Sequence, residues 1–422
     1  MSLQSVIGPV PEHWAVRPFF ATGRAVQTKN IGMRENNLLS LSYGRIVEKD
    51  IDSSEGLLPE SFETYQIVQP NDMVFRFTDL QNDQRSLRSA LVRTSGIITS
   101  AYLAFRPDAN VIVPRFLDYL MRSYDLSKVF YPLGGGVRQS LKFDDVKRLG
   151  IIVPPLDEQK AIADFLDREL AQIDALIEKQ ELFEIVSQQR INSSVLTSIT
   201  GNGALFLDPS SSEIWRGELP LGWSVRKLSH LFGSIGSGTT PTSDSDEYYG
   251  GTIPWVTTGE LRETTILETS RYVTGKAMKD FSALKLHPKG SLVIAMYGAT
   301  VGRLGFLGMD ATVNQACCVM SKPLDLDIEY VYYALQGLRE ILVSLATGGG
   351  QPNISQGLLK SFMIPVPPRK EQIEIRERLE IEMKQHHDLR ETNSQILKTL
   401  RDRRQSLISA AVTGKIDVRK VS

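Results

Sequence analysis

One long segment occurs twice in this chain at a fixed distance, and this repeat constrains the fold more than any other feature. The first copy opens with Pro154-Pro155-Leu156-Asp157-Glu158-Gln159 and closes at Thr200-Gly201; the second opens with Pro367-Pro368-Arg369-Lys370-Glu371-Gln372 and closes at Thr413-Gly414. The offset is 213 residues both from Pro154 to Pro367 and from Gly201 to Gly414. A repeat of about half the chain length, without insertion or deletion, indicates two copies of one structural unit.

Each copy is predicted to form one long helix. Neither contains Gly or Pro between its opening proline pair and its closing glycine. Proline pairs exclude helix before them and glycine ends a helix after them, so the boundaries are marked on both sides. Some 43 residues at about 1.5 Å each would give a rod of roughly 65 Å.

A 4-3 spacing of apolar residues along both helices predicts that they pair as an antiparallel coiled coil. Three seam positions are polar in both copies, and such positions set register. They are Glu169 with Glu382, Gln180 with Asn393, and Arg190 with Arg403. An antiparallel arrangement centred on the two amides sets Glu169 beside Arg403 and Glu382 beside Arg190, whereas a parallel one sets like charges together. The alternative is two separate helices, each packed on its own globular domain.

A second pair of matching segments marks the start of each half. Pro11-Glu12-His13-Trp14-Ala15-Val16-Arg17 corresponds to Pro220-Leu221-Gly222-Trp223-Ser224-Val225-Arg226. Between these segments and the long helices the two halves differ greatly, but each is predicted to form short strands with one or two late helices. Strands are predicted at 65–68, 72–77, 292–297 and 313–320, and helices at 113–120 and 329–335.

The predicted fold class is therefore α+β, with two mixed domains in a pseudo-twofold repeat joined by two long helices. The predicted division is a first domain at 1–153, a first long helix at 154–201, a second domain at 202–366, and a second long helix with a C-terminal tail at 367–422. Adjacent Cys317 and Cys318 lie in a strand-like run, where neighbours point to opposite faces, so buried free thiols are expected. With no membrane span and no signal-peptide layout, a cytoplasmic protein without a membrane partner is expected.

Charge distribution says more about partners than the net charge of −1. Between Arg76 and Arg148 there are 12 Lys and Arg against 7 Asp and Glu. A local basic excess of this kind is typical of a surface that meets nucleic acid.

Two divergent domains alternating with two near-identical helices framed by Pro-Pro-x-x-Glu-Gln and Thr-Gly resemble the DNA-specificity subunit of type I restriction-modification enzymes. The closing run from Ala410 to Arg419 is similar to the C-terminal signature of that family, from which Ser198-Ile199-Thr200-Gly201-Asn202 departs. Three stretches of the second domain resemble recurrent motifs of the family's target-recognition domains. They are Gly236-Ser237-Gly238-Thr239-Thr240-Pro241, Ile253-Pro254-Trp255-Val256 and Tyr297-Gly298-Ala299-Thr300-Val301-Gly302-Arg303. In the first domain only Lys29-Asn30-Ile31-Gly32 stands where the Gly-Thr-Thr-Pro loop is expected.

The resemblance implies a protein without catalysis of its own that reads a bipartite, asymmetric target in double-stranded DNA, one half-site per domain. It also implies two adenine-N6 methyltransferase (modification) subunits docked on the helices, with restriction/translocase subunits added. S-adenosylmethionine, ATP and Mg would be bound by those partners, and no cofactor or metal by this chain. The helices would act as a ruler between the half-sites. The alternative is a coiled-coil protein-interaction adaptor without DNA readout.

Catalytic motifs are weak or missing in the sequence. Glu158-Gln159-Lys160 fits one end of a nuclease triad, but it opens a helix, and its counterpart reads Glu371-Gln372-Ile373. The Pro-Pro pairs lack the polar residue and the aromatic ring with which amino-methyltransferases hold a flipped adenine.

Residues predicted to contact DNA are polar or basic side chains in glycine-containing loops, as contact with phosphates and base edges requires. In the first domain they are Lys29, Asn30, Arg34, Arg76, Arg85, Arg88, Arg138 and Gln139. In the second they are Ser237, Thr239, Thr240, Lys276, Tyr297, Thr300, Arg303, Gln351 and Asn353. Arg138 and Arg303 are the leading candidates, because bidentate contact of arginine with guanine is the commonest specific contact.

Overall fold

The computed structural model describes residues 9–51, 61–80, 87–133, 140–201, 219–242, 246–346 and 352–420. The chain divides into two compact units, one formed by 1–181 with 394–422 and the other by 182–393. Each long helix therefore contributes one half to each unit. Among the described residues, no helix combines the length and apolar character needed to cross a membrane.

The first unit contains ten strands and two short helices in its described part. The strands are β1 Ala15–Pro18, β2 Gly23–Val26, β3 Leu38–Ser42, β4 Arg45–Lys49, β5 Gln66–Val68, β6 Met73–Phe75, β7 Ser89–Leu91, β8 Gly96–Ile98, β9 Leu103–Pro107 and β10 Gly150–Val153. The helices are α1 Pro114–Leu126 and α2 Phe143–Val146. The strands form a β2-β9-β6-β7 sheet, a β4-β3-β8-β5 sheet and a β1-β10 pair.

The second unit also contains ten strands within its described residues, with four short helices. The strands are β11 Ser224–Lys227, β12 Phe232–Ser237, β13 Tyr249–Val256, β14 Thr265–Ile266, β15 Tyr272–Val273, β16 Leu292–Ala295, β17 Leu304–Leu307, β18 Thr312–Val313, β19 Cys317–Pro323 and β20 Met363–Val366. The short helices are α4 Gly275–Asp280, α5 Ile328–Gly337, α6 Arg339–Ser344 and α7 Gln356–Ser361, and the long helices of the chain are α3 Leu156–Thr200 and α8 Arg369–Val412. The sheets are β12-β19-β16-β17-β14 and β15-β13-β18, with a β11-β20 pair.

The internal repeat seen in the sequence extends to strand topology. The order β2-β9-β6-β7 in the first unit matches β12-β19-β16-β17 in the second, and the β1-β10 pair matches β11-β20. In the other sheets, β3 pairs antiparallel with β4 and parallel with β8, as β13 pairs antiparallel with β15 and parallel with β18. The positions of β5 and β14 differ between the units. The predicted fold class, two mixed domains with two long helices, is confirmed.

The start of each long helix is tied to the domain that precedes it by the repeated motif. The Trp14 indole donates to the Glu158 carboxylate at 3.0 Å, and the Trp223 indole donates to Glu371 at 2.8 Å. The buried Gln159 amide accepts from the Val113 backbone at 2.7 Å and donates to the Pro154 carbonyl at 2.8 Å. The Glu and Gln side chains of the motif therefore hydrogen-bond to the domain that precedes their helix.

Gln372 repeats this pattern in the second unit. Its side chain accepts from the backbone of Asp327 at 2.9 Å and donates to the Pro367 carbonyl at 2.8 Å. A buried amide with both ends hydrogen-bonded stabilises one fixed arrangement, and an apolar replacement would leave backbone groups unpaired.

The closing glycines end the helices against the tryptophan of a domain. Gly201 and Gly414 have positive φ values of 61° and 74°. A Cβ on Gly201 would lie 2.4 Å from Pro220 Cγ, and one on Gly414 would lie 2.4 Å from Pro11 Cδ. Both the left-handed backbone and the close approach require glycine.

In each unit the two helices run antiparallel, as predicted. In the first, Asp174 pairs with Arg404 and Glu181 with Arg401, so residue numbers rise along α3 as they fall along α8. In the second, Glu184 pairs with Arg390 at 2.6 Å, and Ser194 contacts Glu382. The alternative of helices packed only on domains is wrong, although their outer ends do enter the cores: Ile162 and Ile408 in the first unit, Val195 and Ile375 in the second.

The predicted register of the helix pair is wrong by about one helical turn. Glu382 accepts a hydrogen bond from Ser194, one turn beyond its predicted partner Arg190. The cation nearest Glu169 is its neighbour Arg168 at 3.5 Å.

Arg403, the predicted partner of Glu169, is exposed, and its neighbour Arg404 forms an ion pair with Asp174. Asn393 is buried on the seam, as expected, and donates to Glu184. Nothing in the structure tests the predicted role of Gln180. Helix periodicity fixes which face pairs, but side-chain packing fixes the offset.

Two local predictions had different outcomes. Cys317 and Cys318 are both free and buried, on opposite faces of β19 in separate apolar clusters, as expected. Burial raises the pKa of the Cys318 thiol to about 12. The predicted strand at 313–320 is interrupted, because β18 ends at Val313 and β19 begins at Cys317.

The register can be tested by double-mutant cycles on the full chain. Asp174→Asn with Arg404→Gln should show a coupling of about 0.5–1 kcal/mol in the free energy of unfolding, because the pair is bidentate and Arg404 is only 19% exposed. Glu169→Gln with Arg403→Gln should show coupling near zero. Urea unfolding measures both cycles, and the opposite ranking would restore the original register.

Candidate nucleic-acid interface

The polar loops of the second unit meet at one end of its large sheet. Ser237 at the end of β12 faces Cys318, and Ala295 at the end of β16 faces Cys317 at the start of β19. Ile294 in turn faces Leu304 at the start of β17. The loop after β12, the loop before β19 and the β16–β17 connection therefore share an edge.

The Gly-Thr-Thr-Pro loop after β12 is held rigidly at this edge. A Cβ on Gly238 would lie 1.7 Å from the Val313 carbonyl oxygen, so only glycine allows this approach. The Trp255 indole donates to the Thr239 carbonyl at 3.1 Å. Trp255 is 2% exposed, which makes it a packing residue. Ser237, Thr239 and Thr240 are half-buried and keep partial access to solvent.

The connection from β16 to β17 carries the second group of predicted residues. Tyr297 is half-buried and forms a β-bridge with Asn353. Thr300 accepts a backbone hydrogen bond from Arg303 at 3.0 Å, which tightens the turn. Arg303 and Asn353 are exposed, and Arg303 is not in an ion pair with any residue in the described part of the chain. Arg303 thus keeps the free guanidinium that contact with guanine or phosphate requires.

Lys276 lies elsewhere, on the short helix α4, and its position argues against the predicted role. It donates to Asp280 at 2.8 Å and lies 3.5 Å from Glu247. The hydrogen bond to Asp280 raises the pKa of Lys276, so the ammonium stays charged but is already neutralised. A phosphate would have to compete with two carboxylates.

The first unit has an equivalent sheet edge. Val26 at the end of β2 faces Ala104, and Phe75 at the end of β6 faces both Leu103 and Ser89. Arg76 follows β6 directly and is half-buried. Exposed Lys29 and Arg34 follow β2, where Lys29 bridges to Gln66. These three cations remain candidates for DNA contact.

The prediction that Asn30 and Arg88 contact DNA is wrong, because both side chains are completely buried. The Asn30 side chain donates to the Glu35 carbonyl at 2.8 Å and accepts from its N–H at 3.0 Å, closing its own loop. The Arg88 guanidinium donates to the Thr78 carbonyl at 3.0 Å. Both side chains stabilise loops instead of facing a ligand.

Four predicted contacts lie outside the described residues and stay predictions. They are Arg85, Arg138, Gln139 and Gln351.

Gln315 is a surface residue that the sequence prediction missed. It lies in the loop between β18 and β19, is exposed, and accepts a hydrogen bond from the Thr240 hydroxyl. It also lowers the pKa of the Tyr297 phenol, although burial raises that pKa more. Reading 313–320 as one strand hid this loop, and the sequence carries no turn signal there beyond Asn314.

The weak nuclease candidate is not supported by the geometry. Glu158 is occupied by the indole of Trp14 and by His13 at 3.0 Å, at the start of a helix. Within the described ranges, no group of three His, Cys, Asp or Glu is arranged to hold a metal ion.

Comparison with known proteins identifies the family. The profile for the type I restriction modification DNA specificity domain matches residues 98–185 and 220–399, more than half of the chain. The chain belongs to this family.

Curated relatives of this specificity family cover the full length or parts of the chain. The type I restriction enzyme MjaX specificity subunit of Methanocaldococcus jannaschii is 25% identical over 98% of this chain and 96% of its own length. The EcoR124I/EcoR124II specificity subunit of Escherichia coli is 28% identical over 35% of this chain and 39% of its own.

Solved structures share the fold of this chain. One, from a study of complex assembly and conformational transition of the type I R-M system, matches with a TM-score of 0.70 at 18% identity, covering 97% of this chain and 100% of that one. The HsdS subunit from Thermoanaerobacter tengcongensis matches with a TM-score of 0.53 at 16% identity, covering 97% and 98%.

Arg34 and Arg88 provide a direct test of surface against buried roles. Arg34→Ala should leave thermal unfolding unchanged but lower the slope of log K against log salt for duplex DNA by about 1, as loss of one phosphate contact would. Arg88→Ala should lower the free energy of unfolding by about 1–3 kcal/mol, because buried backbone carbonyls lose their donor. Equal effects of the two changes on unfolding would contradict the assignment.

Proposed function

We propose that this specificity subunit reads a bipartite, asymmetric sequence in double-stranded DNA, with residues 11–153 reading one half-site and residues 219–366 the other. The observation that carries the proposal is the shared four-strand order, which presents different loops at equivalent sheet edges in the two units. A common support with different loops suits two half-sites of different sequence.

The chemistry of the two edges supports DNA as the ligand. The first offers exposed Lys29 and Arg34, and the second offers exposed Arg303 and Asn353. Cations at such an edge would neutralise phosphates, while amide and guanidinium groups on rigid loops would read base edges.

A methyltransferase subunit is the proposed partner of the helix pair. In the second unit, α3 and α8 leave an apolar groove of about 410 Å³ lined by residues that include Phe183, Val186, Ile191 and Leu389. Phe183, Val186 and Leu389 are 43%, 53% and 51% exposed. An amphipathic helix with large apolar side chains would fill such a groove.

In this proposal the chain supplies recognition and no catalysis. Two methyltransferase subunits would bind S-adenosylmethionine and modify adenine, and restriction/translocase subunits would use ATP and Mg. The specificity subunit would hold the methyltransferases at the sites that its loops select.

Mapping N6-methyladenine across the host genome tests the DNA-reading role. With the chain present, methylation should occur at one split, asymmetric motif, and deletion of its gene should abolish methylation at that motif. Exchange of residues 11–153 for those of another member of the family should change one half-site only. If methylation is unchanged by the deletion in a host that expresses the methyltransferase, the proposal is overturned.

Substitutions in the groove test the docking role. Phe183→Asp and Val186→Asp should reduce co-purification of the co-expressed methyltransferase subunit at least tenfold, because a carboxylate would have to be desolvated in the interface. Leu267→Asp is the matched control, since Leu267 is 76% exposed, follows β14 and does not line the groove. Equal recovery with all three variants would exclude this groove as the docking surface.

A further inference from the structure

The loop between β18 and β19 places one exposed amide at the centre of the candidate edge in the second unit. Gln315 accepts a hydrogen bond from the Thr240 hydroxyl through Oε1. Its amide also interacts with Tyr297 and lowers the pKa of that phenol, although burial raises that pKa more. The Gln315 oxygen points toward Thr240.

The loop that carries Gln315 and the backbone of Tyr297 are both fixed to the sheet. Backbone hydrogen bonds join Asn314 N to the Val256 carbonyl at 3.0 Å and Met296 N to the Ala316 carbonyl at 2.8 Å, which anchors both sides of the loop. Tyr297 is held by its β-bridge to Asn353. The anchored loop therefore holds the Gln315 amide at a fixed place on the sheet edge.

The Gln315 amide keeps both a donor and an acceptor for a ligand. A primary amide has two N–H donors and two lone pairs on its oxygen. The Thr240 hydroxyl uses one lone pair, and the side chain is exposed. A donor and an acceptor side by side match the major-groove edge of adenine, which offers N7 as acceptor and the N6 amino group as donor. Guanine offers two acceptors there, and cytosine a donor.

We propose that Gln315 is a specificity-determining residue that reads an A·T base pair in the half-site of the second domain, with Thr240 and Tyr297 as positioning residues. The inference rests on the proposed function and names the base pair that this part of the site selects. Loss of the contact would lower discrimination at one base position by roughly 5- to 150-fold, the range for one bidentate base contact.

The test is N6-methyladenine mapping in the host with chromosomal variants of the full chain, in which every genomic copy of the split motif serves as a probe. Gln315→Ala should relax one position of the half-site that exchange of residues 11–153 leaves unchanged, while all other positions stay sharp. Gln315→Glu, which cannot donate, should move the preference at that position from adenine toward cytosine. Tyr297→Phe should relax the same position less than Gln315→Ala.

Gln69→Ala is the matched control. Gln69 is exposed in the first unit, in the turn between β5 and β6 at the opposite end of β6 from Arg76, and its loss should leave the motif unchanged. Thermal unfolding of each purified variant separates misfolding from altered reading, and if Gln315→Ala does not fold, the base preference of Gln315→Glu and Tyr297→Phe decides.

Three outcomes would overturn the inference. One is a motif that stays sharp at every position in Gln315→Ala. Another is a uniform loss of methylation over all sites without relaxation of any position, which indicates a backbone contact. If the wild-type chain itself supports no split motif, the proposed function fails and this inference fails with it. A sharp wild-type motif with an unchanged Gln315→Ala motif rejects the inference alone.

Discussion

Each half of the chain depends on a buried glutamine amide at the start of a long helix. Gln159 and Gln372 are 0% and 2% exposed, and each joins a domain backbone N–H to the carbonyl of the first proline in the Pro-Pro pair. The two carbonyls lie before the first helical turn, and a buried backbone acceptor needs a donor, which the glutamine side chain supplies. One residue thereby sets the exit direction of the chain and the start of the helix together.

These hydrogen bonds at the helix starts help explain how the two domains can differ in sequence while the long helices stay alike. The contacts that attach each long helix to its domain include the repeated pairs Trp14 with Glu158 and Trp223 with Glu371. Side chains of the short helices add to them, as in the hydrogen bonds of Tyr119 to Asp167 and of Arg376 to Glu329. None of these contacts comes from the loops at the candidate sheet edges, so those loops can change without loss of these contacts.

Local signals in the sequence were sufficient for the parts of the fold that depend on backbone chemistry. Proline pairs and glycines marked both helices to within a few residues, and strand alternation placed Cys317 and Cys318 on opposite faces. The offset of the helix pair was missed, because Ser194 and Arg190 lie on the same helix face and only packing selects between them. Burial of Asn30 and Arg88 was missed for a similar reason: a polar side chain in a loop looks identical whether it closes that loop or faces a ligand. The loop that carries Gln315 was missed because apolar residues of β18 and β19 flank it, so the whole run was predicted as one strand.

The distribution of apolar burial along the helices bears on what the chain needs from a partner. In the first unit, Leu166 and Leu170 on α3 are 0% and 3% exposed, whereas Leu176 is 48% exposed. In the second, Ile199 is fully buried and Phe183 is 43% exposed. The ion pairs along the same stretch are largely solvent-exposed and contribute little each. The outer ends of the helices are thus stabilised by domain cores, and their middle segments keep apolar surface that burial under a partner would stabilise by about 25 cal/mol per Å². A helix pair completed by another subunit, as in the proposed docking, would account for this gradient.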